Sequence, residues 1–223
     1  MTADSALPTI AVVGGTGDLG SGLARRLARA GYAVVIGSRA AEKAADAAAG
    51  MATAGNVRGL TNRDAAAAAD IVMLTVPFAT QGAILDDIRP AVGGKIVVDT
   101  TVPLQPPKVS RVQLPAEGSA AQITQTVLGD GVAVVSAFHN VSAAKLAKDE
   151  ALDCDILVFT DDKEAGAAIV DLIARIGLRG LRGGPLANSA AAEAMTSVLI
   201  AINRRYKVSD GAGIRVTGEL TGA

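Results

Sequence analysis

The stretch that most constrains this chain is residues 9–20, where a short apolar run meets a glycine-rich turn and a helical pattern follows at once. Gly15, Gly17 and Gly20 have the G-x-G-x-x-G spacing of a dinucleotide-binding turn. In such a turn the first glycine permits tight bending, the second lets backbone approach a pyrophosphate, and the third lets helix pack on strand. The helix N-terminus then favours an anion. A merely structural turn is the alternative, but the flanking strand and helix favour dinucleotide binding.

The residues after the second apolar run, 33–37, indicate which dinucleotide is bound. A site for NAD would place Asp or Glu there to bond the ribose 2′-hydroxyl. This chain has Ser38 and Arg39 instead, with Lys43 one helical turn further on. A hydroxyl, a guanidinium and an ammonium can converge on a 2′-phosphate through charge-assisted hydrogen bonds. A solvated helix start is the alternative, but the two signals together favour NADP(H).

Apolar runs alternate with helical patterns along the chain, which is typical of βαβ units. Half of the 223 residues are hydrophobic and only 2% are aromatic, a composition that suits a parallel sheet buried on both faces. We therefore expect an α/β fold, a Rossmann-type doubly wound, mostly parallel sheet with a small C-terminal lobe. We expect one domain, 1–223, in which residues from about 100 to 223 contribute a small lobe for a second cofactor. The predicted strands are 9–13, 33–37, 57–60, 71–76, 95–99, 132–137, 155–160 and 178–182. The predicted helices are 19–30, 41–49, 62–69, 80–88, 116–128, 142–148, 163–176 and 186–204.

Composition argues against several classes of partner. The net charge is −1 with dispersed basic residues, so we expect no nucleic acid to bind. No run reaches the roughly 18–20 apolar residues of a membrane span, and the N-terminus lacks the pattern of a signal peptide. We therefore expect no membrane association and a cytoplasmic location. Cys154, the single cysteine, cannot form an intrachain disulfide and offers no metal-ligand set. The alanine-rich helix 186–204 leaves a homodimer open.

Few residues look able to act as acids or bases. His139, the one histidine, directly follows a predicted strand and could donate a hydrogen bond to a ligand, or it could be a structural histidine. Val76 and Phe78 lie at the end of another predicted strand, in a turn that lines the nicotinamide ribose in such sheets or is an ordinary connection. The glycine-rich tail 206–223 could be a floppy terminus or fold back over the ligand. A site of backbone, apolar walls and one histidine favours hydride transfer between two planar cofactors, which depends mainly on positioning.

Five motifs, taken in order, resemble the NADPH-dependent coenzyme F420 reductases: GGTGDLG at 14–20, IGSR at 36–39 with Lys43, LTVP at 74–77, SAFH at 136–139 and GPLANS at 184–189. The resemblance extends from residue 9 to about 216. It implies that the chain transfers a hydride between nicotinamide C4 of NADP(H) and the central ring of coenzyme F420, an 8-hydroxy-5-deazaflavin.

The resemblance also implies roles for individual residues. The pyrophosphate would lie on Thr16, Gly17, Asp18 and Leu19, and the 2′-phosphate on Ser38, Arg39 and Lys43. The nicotinamide half would be lined by Val76, Phe78, Val102 and Ala143. The deazaflavin would be bordered by His139, Val141, Thr196 and backbone near Ala212, with His139 in an orienting catalytic role and Val141 against the nicotinamide.

The chain departs from the family pattern on helix 186–204. Ala190 and Ala194 stand where an arginine and a serine are expected, whereas Thr196 is kept. The sequence therefore leaves three alternatives open. They are an NADPH-dependent reductase of a flavin, a reductase of a small imine or keto substrate, and a non-catalytic NADP(H) sensor.

Overall fold

The computed structural model of the chain describes residues 7–148 and 150–219. Its centre is a sheet of six parallel strands: β1 (Ile10–Val13), β2 (Val34–Ser38), β3 (Val57–Thr61), β4 (Ile71–Leu74), β5 (Ile96–Asp99) and β6 (Ala133–Ser136). The spatial order is β3-β2-β1-β4-β5-β6. The predicted Rossmann-type, doubly wound parallel sheet is therefore confirmed.

Strand β1 lies inside the sheet and is buried on both faces. Ile10 and Val12 belong to one apolar cluster, whereas Ala11 and Val13 belong to a second cluster on the opposite face. Successive side chains of a strand point to opposite faces, so a strand covered on both sides needs an unbroken apolar run. This is why residues 9–13 read as a continuous rather than an alternating pattern.

Helices cover both faces of the sheet. The first cluster includes side chains of α1 (Asp18–Arg29), α2 (Ala41–Ala49), α6 (Ala143–Leu146) and α7 (Lys163–Arg175). The second includes side chains of α3 (Asn62–Ala67), α4 (Phe78–Ile88) and α5 (Ala120–Leu128). The last helix, α8 (Ser189–Tyr206), follows a 3-10 turn at Leu186–Asn188.

Two helices begin three or more residues later than their patterns predict. Helix α5 begins at Ala120 rather than at 116, because Gly118 has a left-handed φ of 99° and the Ser119 side chain accepts a hydrogen bond from the Gln122 N–H. The glycine conformation is incompatible with a helix, and the Ser119 cap marks the helix start. The predicted helix 186–204 begins with the 3-10 turn, and α8 itself starts at Ser189.

The remaining strands, β7 (Asp155–Val158) and β8 (Arg179–Arg182), pair in parallel as a separate small sheet. One antiparallel bridge, Ser136 to Phe159, joins this small sheet to β6. The C-terminal segment folds back along β7, since the Asp155 N–H donates to the Ile214 carbonyl at 2.7 Å. A Cβ on Gly213 would lie 2.7 Å from Cys154 Cβ, so the approach is close. The tail is therefore packed as far as it is described, while residues 220–223 lie outside that range.

Across the part of the chain that the structure describes, no helix combines the length and the apolar character needed to cross a membrane.

Candidate active site

The glycine turn between β1 and α1 is held by close contacts that only glycine permits. A Cβ on Gly15 would lie 2.6 Å from the Val12 carbonyl oxygen, and one on Gly20 would lie 2.7 Å from the Gly15 Cα. The left-handed φ of the turn, 76°, belongs to Gly14, which precedes the G-x-G-x-x-G spacing. A Cβ on Gly17 would meet nothing closer than 3.6 Å. Packing inside the protein therefore does not require glycine at this position, whereas close approach of a ligand to the backbone would.

The N-terminus of α1 is open to a ligand. Its N-cap residue is Gly17, no side chain caps it, and Thr16, Gly17 and Asp18 are exposed. Uncapped N–H groups and the helix dipole favour a bound anion at such an end. Gly15 is buried beneath the turn, and Leu19 is half-buried against the core. These two residues can reach a ligand at this end through their backbone only.

A cleft of about 570 Å³ opens at the carboxyl ends of β1, β2 and β4. It brings together six of the predicted cofactor-binding residues: Thr16, Gly17, Ser38, Arg39, Lys43 and Val76. Its other lining residues are Gly14, Ala40, Asn62, Thr75, Pro77, Thr80 and Ile84. In an α/β sheet of this kind, ligands bind outside the carboxyl ends of the strands where the strand order reverses, and β1 is at that point here.

One end of the cleft is basic. Ser38 is the last residue of β2, and its Oγ accepts a hydrogen bond from the Ala40 N–H at 3.4 Å. Arg39 and Lys43 are exposed, and within the described residues neither is in a salt bridge. No carboxylate is among the lining residues. The guanidinium and ammonium groups are therefore available for an anionic ligand.

Asn62 is a lining residue that the sequence analysis missed. This first residue of α3 is 3% exposed, and its Oδ1 accepts a hydrogen bond from the Gly14 N–H at 3.3 Å. A Cβ on Gly37 would lie 2.9 Å from the same oxygen. Asn62 therefore ties the glycine turn to the end of β2. Its position directly after β3, which pairs with β2, is the signal that could have placed it at this edge.

A second polar centre lies at the end of β6. Phe138 has a left-handed φ of 67°, an uncommon conformation for a bulky residue, and His139 follows it. His139 is 6% exposed, and its carbonyl accepts a hydrogen bond from the Thr196 Oγ at 2.9 Å. The structure thus brings the predicted pair His139 and Thr196 together, through the histidine backbone. Asn140 also donates to Thr196 Oγ, at 3.2 Å.

Three other predicted residues, Val141, Ala143 and Ala212, lie around the loop after β6, whereas Phe78 and Val102 follow other strands. Val141 is buried in the core between β6 and α6, and Ala143 is the first residue of α6. The C-terminal segment reaches this loop, because a Cβ on Gly211 would lie 2.8 Å from Ser142 Oγ. The next residue, Ala212, donates its N–H to Asn203 Oδ1 at 2.8 Å. Phe78 and Val102, both half-buried, follow the ends of β4 and β5.

Glu193 is a buried carboxylate that the sequence analysis also missed. It lies on α8 and is 1% exposed. Oε2 accepts the Ala120 N–H at 2.7 Å, and Oε1 accepts the Ala121 N–H at 3.2 Å and the Ser189 hydroxyl at 2.7 Å. The carboxylate thereby satisfies two N–H groups at the start of α5. In the sequence it sits in an alanine-rich helix and reads as a solvated residue.

Burial shifts both ionisable groups of this centre. Desolvation raises the pKa of Glu193 to about 7, against the opposing effect of its hydrogen bonds with Ala120, Ser189 and Ala121. Desolvation lowers the pKa of His139 to about 3. The imidazole is therefore neutral near pH 7 and can offer a hydrogen bond but no charge.

The fold and the cleft define a dinucleotide-binding protein of the Rossmann type. The family model described as "NADP oxidoreductase coenzyme F420-dependent" matches residues 9–103. An F420-dependent NADP reductase from Methanothermobacter thermautotrophicus is 44% identical over 93% of this chain and 94% of its own length. The one from Methanocaldococcus jannaschii is 41% identical over 93% and 97%. A crystal structure of a candidate F420-dependent NADP reductase from Arthrobacter sp. FB24 superposes with a TM-score of 0.78 at 25% identity, covering 95% of this chain and 100% of its own.

The chain therefore belongs to the family of F420-dependent NADP reductases, as the order of its motifs predicts.

The raised pKa of Glu193 predicts a pH-dependent stability. A carboxyl group whose pKa rises from an ordinary 4.5 to about 7 on folding stabilises the fold below pH 4.5 and loses that contribution as the pH rises through 7. Relative to Glu193→Gln, the free energy of unfolding of the wild-type protein should fall by about 3 kcal/mol across this window. Urea unfolding of both proteins on each side of the window measures the difference.

Asp99, whose pKa burial also raises, is present in both proteins, so its own titration largely cancels in that comparison. Parallel pH profiles for the two proteins would contradict the assignment. A constant offset is expected in addition, because the side-chain amide introduced by Glu193→Gln would face a backbone N–H.

Proposed function

We propose that this protein transfers a hydride between NADP(H) and coenzyme F420. The observation that carries the proposal is the 41–44% identity, over 93% of the chain, to two proteins named F420-dependent NADP reductase. The cleft adds independent support, because its open helix N-terminus and its basic end match the pyrophosphate and the 2′-phosphate of NADP(H).

In the NADP(H) half, the pyrophosphate lies against Thr16 and Gly17 and the N–H groups of Asp18 and Leu19, with Gly15 beneath the turn. Ser38, Arg39 and Lys43 bind the 2′-phosphate. The support for this placement is that Thr16, Gly17, Ser38, Arg39 and Lys43 line one cleft.

In the other half, Val76, Phe78, Val102 and Ala143 line the nicotinamide, and Val141 presses on it. The deazaflavin is bordered by His139, Thr196 and the backbone near Ala212. His139 orients the substrate and does not act as an acid, because burial lowers its pKa to about 3. The protein acts mainly by holding two planar rings at transfer distance. On this proposal the chain is one domain, 1–223, and residues from about 100 onward contribute the lobe for the second substrate.

The nature of the acceptor is tested by mixing the purified protein with NADPH and, separately, with F420, FMN and FAD. We expect the deazaflavin absorbance band to bleach with F420 and no NADPH oxidation with either flavin. Reduction of a flavin but not of F420 would reassign the second substrate. Ala190 and Ala194 on α8, where this chain departs from the family pattern, are the reason for including the flavins. NADPH binding with no acceptor reduced would instead favour a small imine or keto substrate, or a sensor.

Replacing Arg39 should impair recognition of the 2′-phosphate. Arg39→Ala should weaken NADPH binding by about 1.5–3 kcal/mol, roughly 10- to 150-fold in Kd, because it removes charge-assisted hydrogen bonds. NADH binding should change little. Isothermal titration of both nucleotides measures the two effects. Arg58→Ala is the matched control, since Arg58 is an exposed arginine on the neighbouring β3 and does not line the cleft. An unchanged preference for NADPH over NADH would mean that the 2′-phosphate site is misplaced.

We also propose that two copies of the chain associate through α8. Four large apolar side chains, 37–70% exposed, follow one another at helical spacing on this helix: Met195, Val198, Ile202 and Tyr206. An exposed apolar stripe of this kind is typical of an interaction surface. Light scattering should give twice the mass of one chain for the wild-type protein and for Ala83→Glu, an exposed position on α4, but one chain mass for Val198→Glu. A monomeric wild-type protein would contradict the proposal.

We place the protein in the cytoplasm. A lone, buried free thiol, Cys154, fits a reducing compartment.

A further inference from the structure

Four side chains form a buried hydrogen-bonded chain from α8 to the end of β6. Glu193 Oε1 accepts the Ser189 hydroxyl at 2.7 Å, Ser189 Oγ is hydrogen-bonded to Ser136 Oγ, and Ser136 Oγ lies 3.2 Å from His139 Nε2. All four residues are buried. The two serine hydroxyls have no other hydrogen-bond partners among the described residues.

When Glu193 is ionised, the hydrogen bonds that link these four side chains can run in only one direction. A carboxylate can only accept hydrogen bonds, so the single hydroxyl proton of Ser189 points to Glu193. Ser189 Oγ can then only accept, which requires the Ser136 hydroxyl to donate to it. Ser136 Oγ is left as an acceptor, and the ring nitrogen that faces it must carry the proton.

We propose that Glu193 is a positioning residue of the second-substrate site. Through Ser189 and Ser136 it fixes His139 as the tautomer protonated on Nε2. Nδ1 is thereby left as the acceptor for an N–H or O–H donor of that substrate. This inference rests on the proposed function. The inference adds to that function a residue, Glu193, that acts through two serines and touches neither substrate.

The other ring nitrogen supports the inference. His139 Nδ1 is buried and has no hydrogen-bond partner within the described residues. Buried polar atoms in folded proteins are nearly always paired, so an unpaired one calls for a ligand or another explanation. The backbone of the same residue is held by Thr196, and the ring is held by Ser136. The lone pair of Nδ1 is therefore fixed in direction.

The tautomer can be read directly because His139 is the only histidine in the sequence. We would record the two-bond ¹H–¹⁵N spectrum of tag-free protein labelled with ¹⁵N-histidine, in mildly alkaline buffer where Glu193 is ionised. The ring is neutral there, so the nitrogen shifts report the tautomer without a contribution from the doubly protonated ring. We expect a protonated Nε2 and an unprotonated Nδ1. A protonated Nδ1 in the wild-type protein would overturn the proposal without any variant.

Interrupting the series of hydrogen bonds should allow His139 to adopt both tautomers. In Ser189→Ala the Ser136 hydroxyl is free to donate to the ring, so both nitrogen shifts should move toward the average of the two tautomers. Ser197→Ala is the matched control. Ser197 is a buried serine on the same helix, but its hydroxyl donates to the Arg111 carbonyl and is not part of the hydrogen bonds that lead to His139. Nitrogen shifts that stay unchanged in Ser189→Ala, or that move equally in Ser197→Ala, would overturn the proposal.

Kinetics with F420 separate this inference from the proposed function. Ser189→Ala should raise the KM for F420 several-fold and leave the KM for NADPH unchanged, and F420 added to the wild-type protein should shift Nδ1 whereas NADP⁺ should not. Failure of the wild-type protein to reduce F420 would refute the function, with the tautomer still readable. F420 reduction with an unaltered tautomer and KM in Ser189→Ala would refute the inference alone.

Discussion

The close passage of α1 over β1 determines where everything in the nucleotide cleft lies. A Cβ on Gly20 would approach the Gly15 Cα to 2.7 Å, so no side chain can separate the helix from the turn. The helix N-terminus is thereby held above the strand that pairs with β2 on one side and β4 on the other. Parallel strands end at the same edge, so Ser38 from β2 and Val76 beyond β4 fall on either side of that helix end.

The second centre depends on contacts between parts of the chain that are far apart in sequence. Glu193 on α8 binds the first N–H groups of α5, at a sequence separation of 73 residues for Ala120. The same helix holds the loop after β6 through Thr196. A partly satisfied polar network in a low-dielectric interior is costly, so the loss of one member affects its neighbours. Helix α8 is therefore both a wall of this centre and the element that fixes the start of α5.

The sequence predicted the strands better than the polar interior. Each strand boundary falls within two residues of its predicted position, because buried parallel strands read as apolar runs between glycine-rich turns. The late start of α5 depends on the conformation of Gly118 and on the cap at Ser119, which the helical pattern of 116–128 does not indicate by itself. Glu193 and Asn62 could not be found from periodicity, because their burial results from helices and turns that reach them only in the folded chain. Six of the residues predicted to bind cofactor do line one cleft, because each lies at or just after a strand end that the sequence pattern marks.

On the proposed assignment of residues, the two halves of the site recognise their ligands by different physical interactions. The NADP(H) half offers exposed cations, Arg39 and Lys43, and a helix dipole, all of which respond to ligand charge. On α8 the second half has Ala190 and Ala194, neither of which carries a charge or a hydrogen-bonding side chain. What this half retains is Thr196 and a neutral His139. A neutral imidazole with a fixed tautomer selects by the position of a donor and not by charge. On the proposed role of His139, the placement of N–H and O–H groups on each flat acceptor then contributes to discrimination among them.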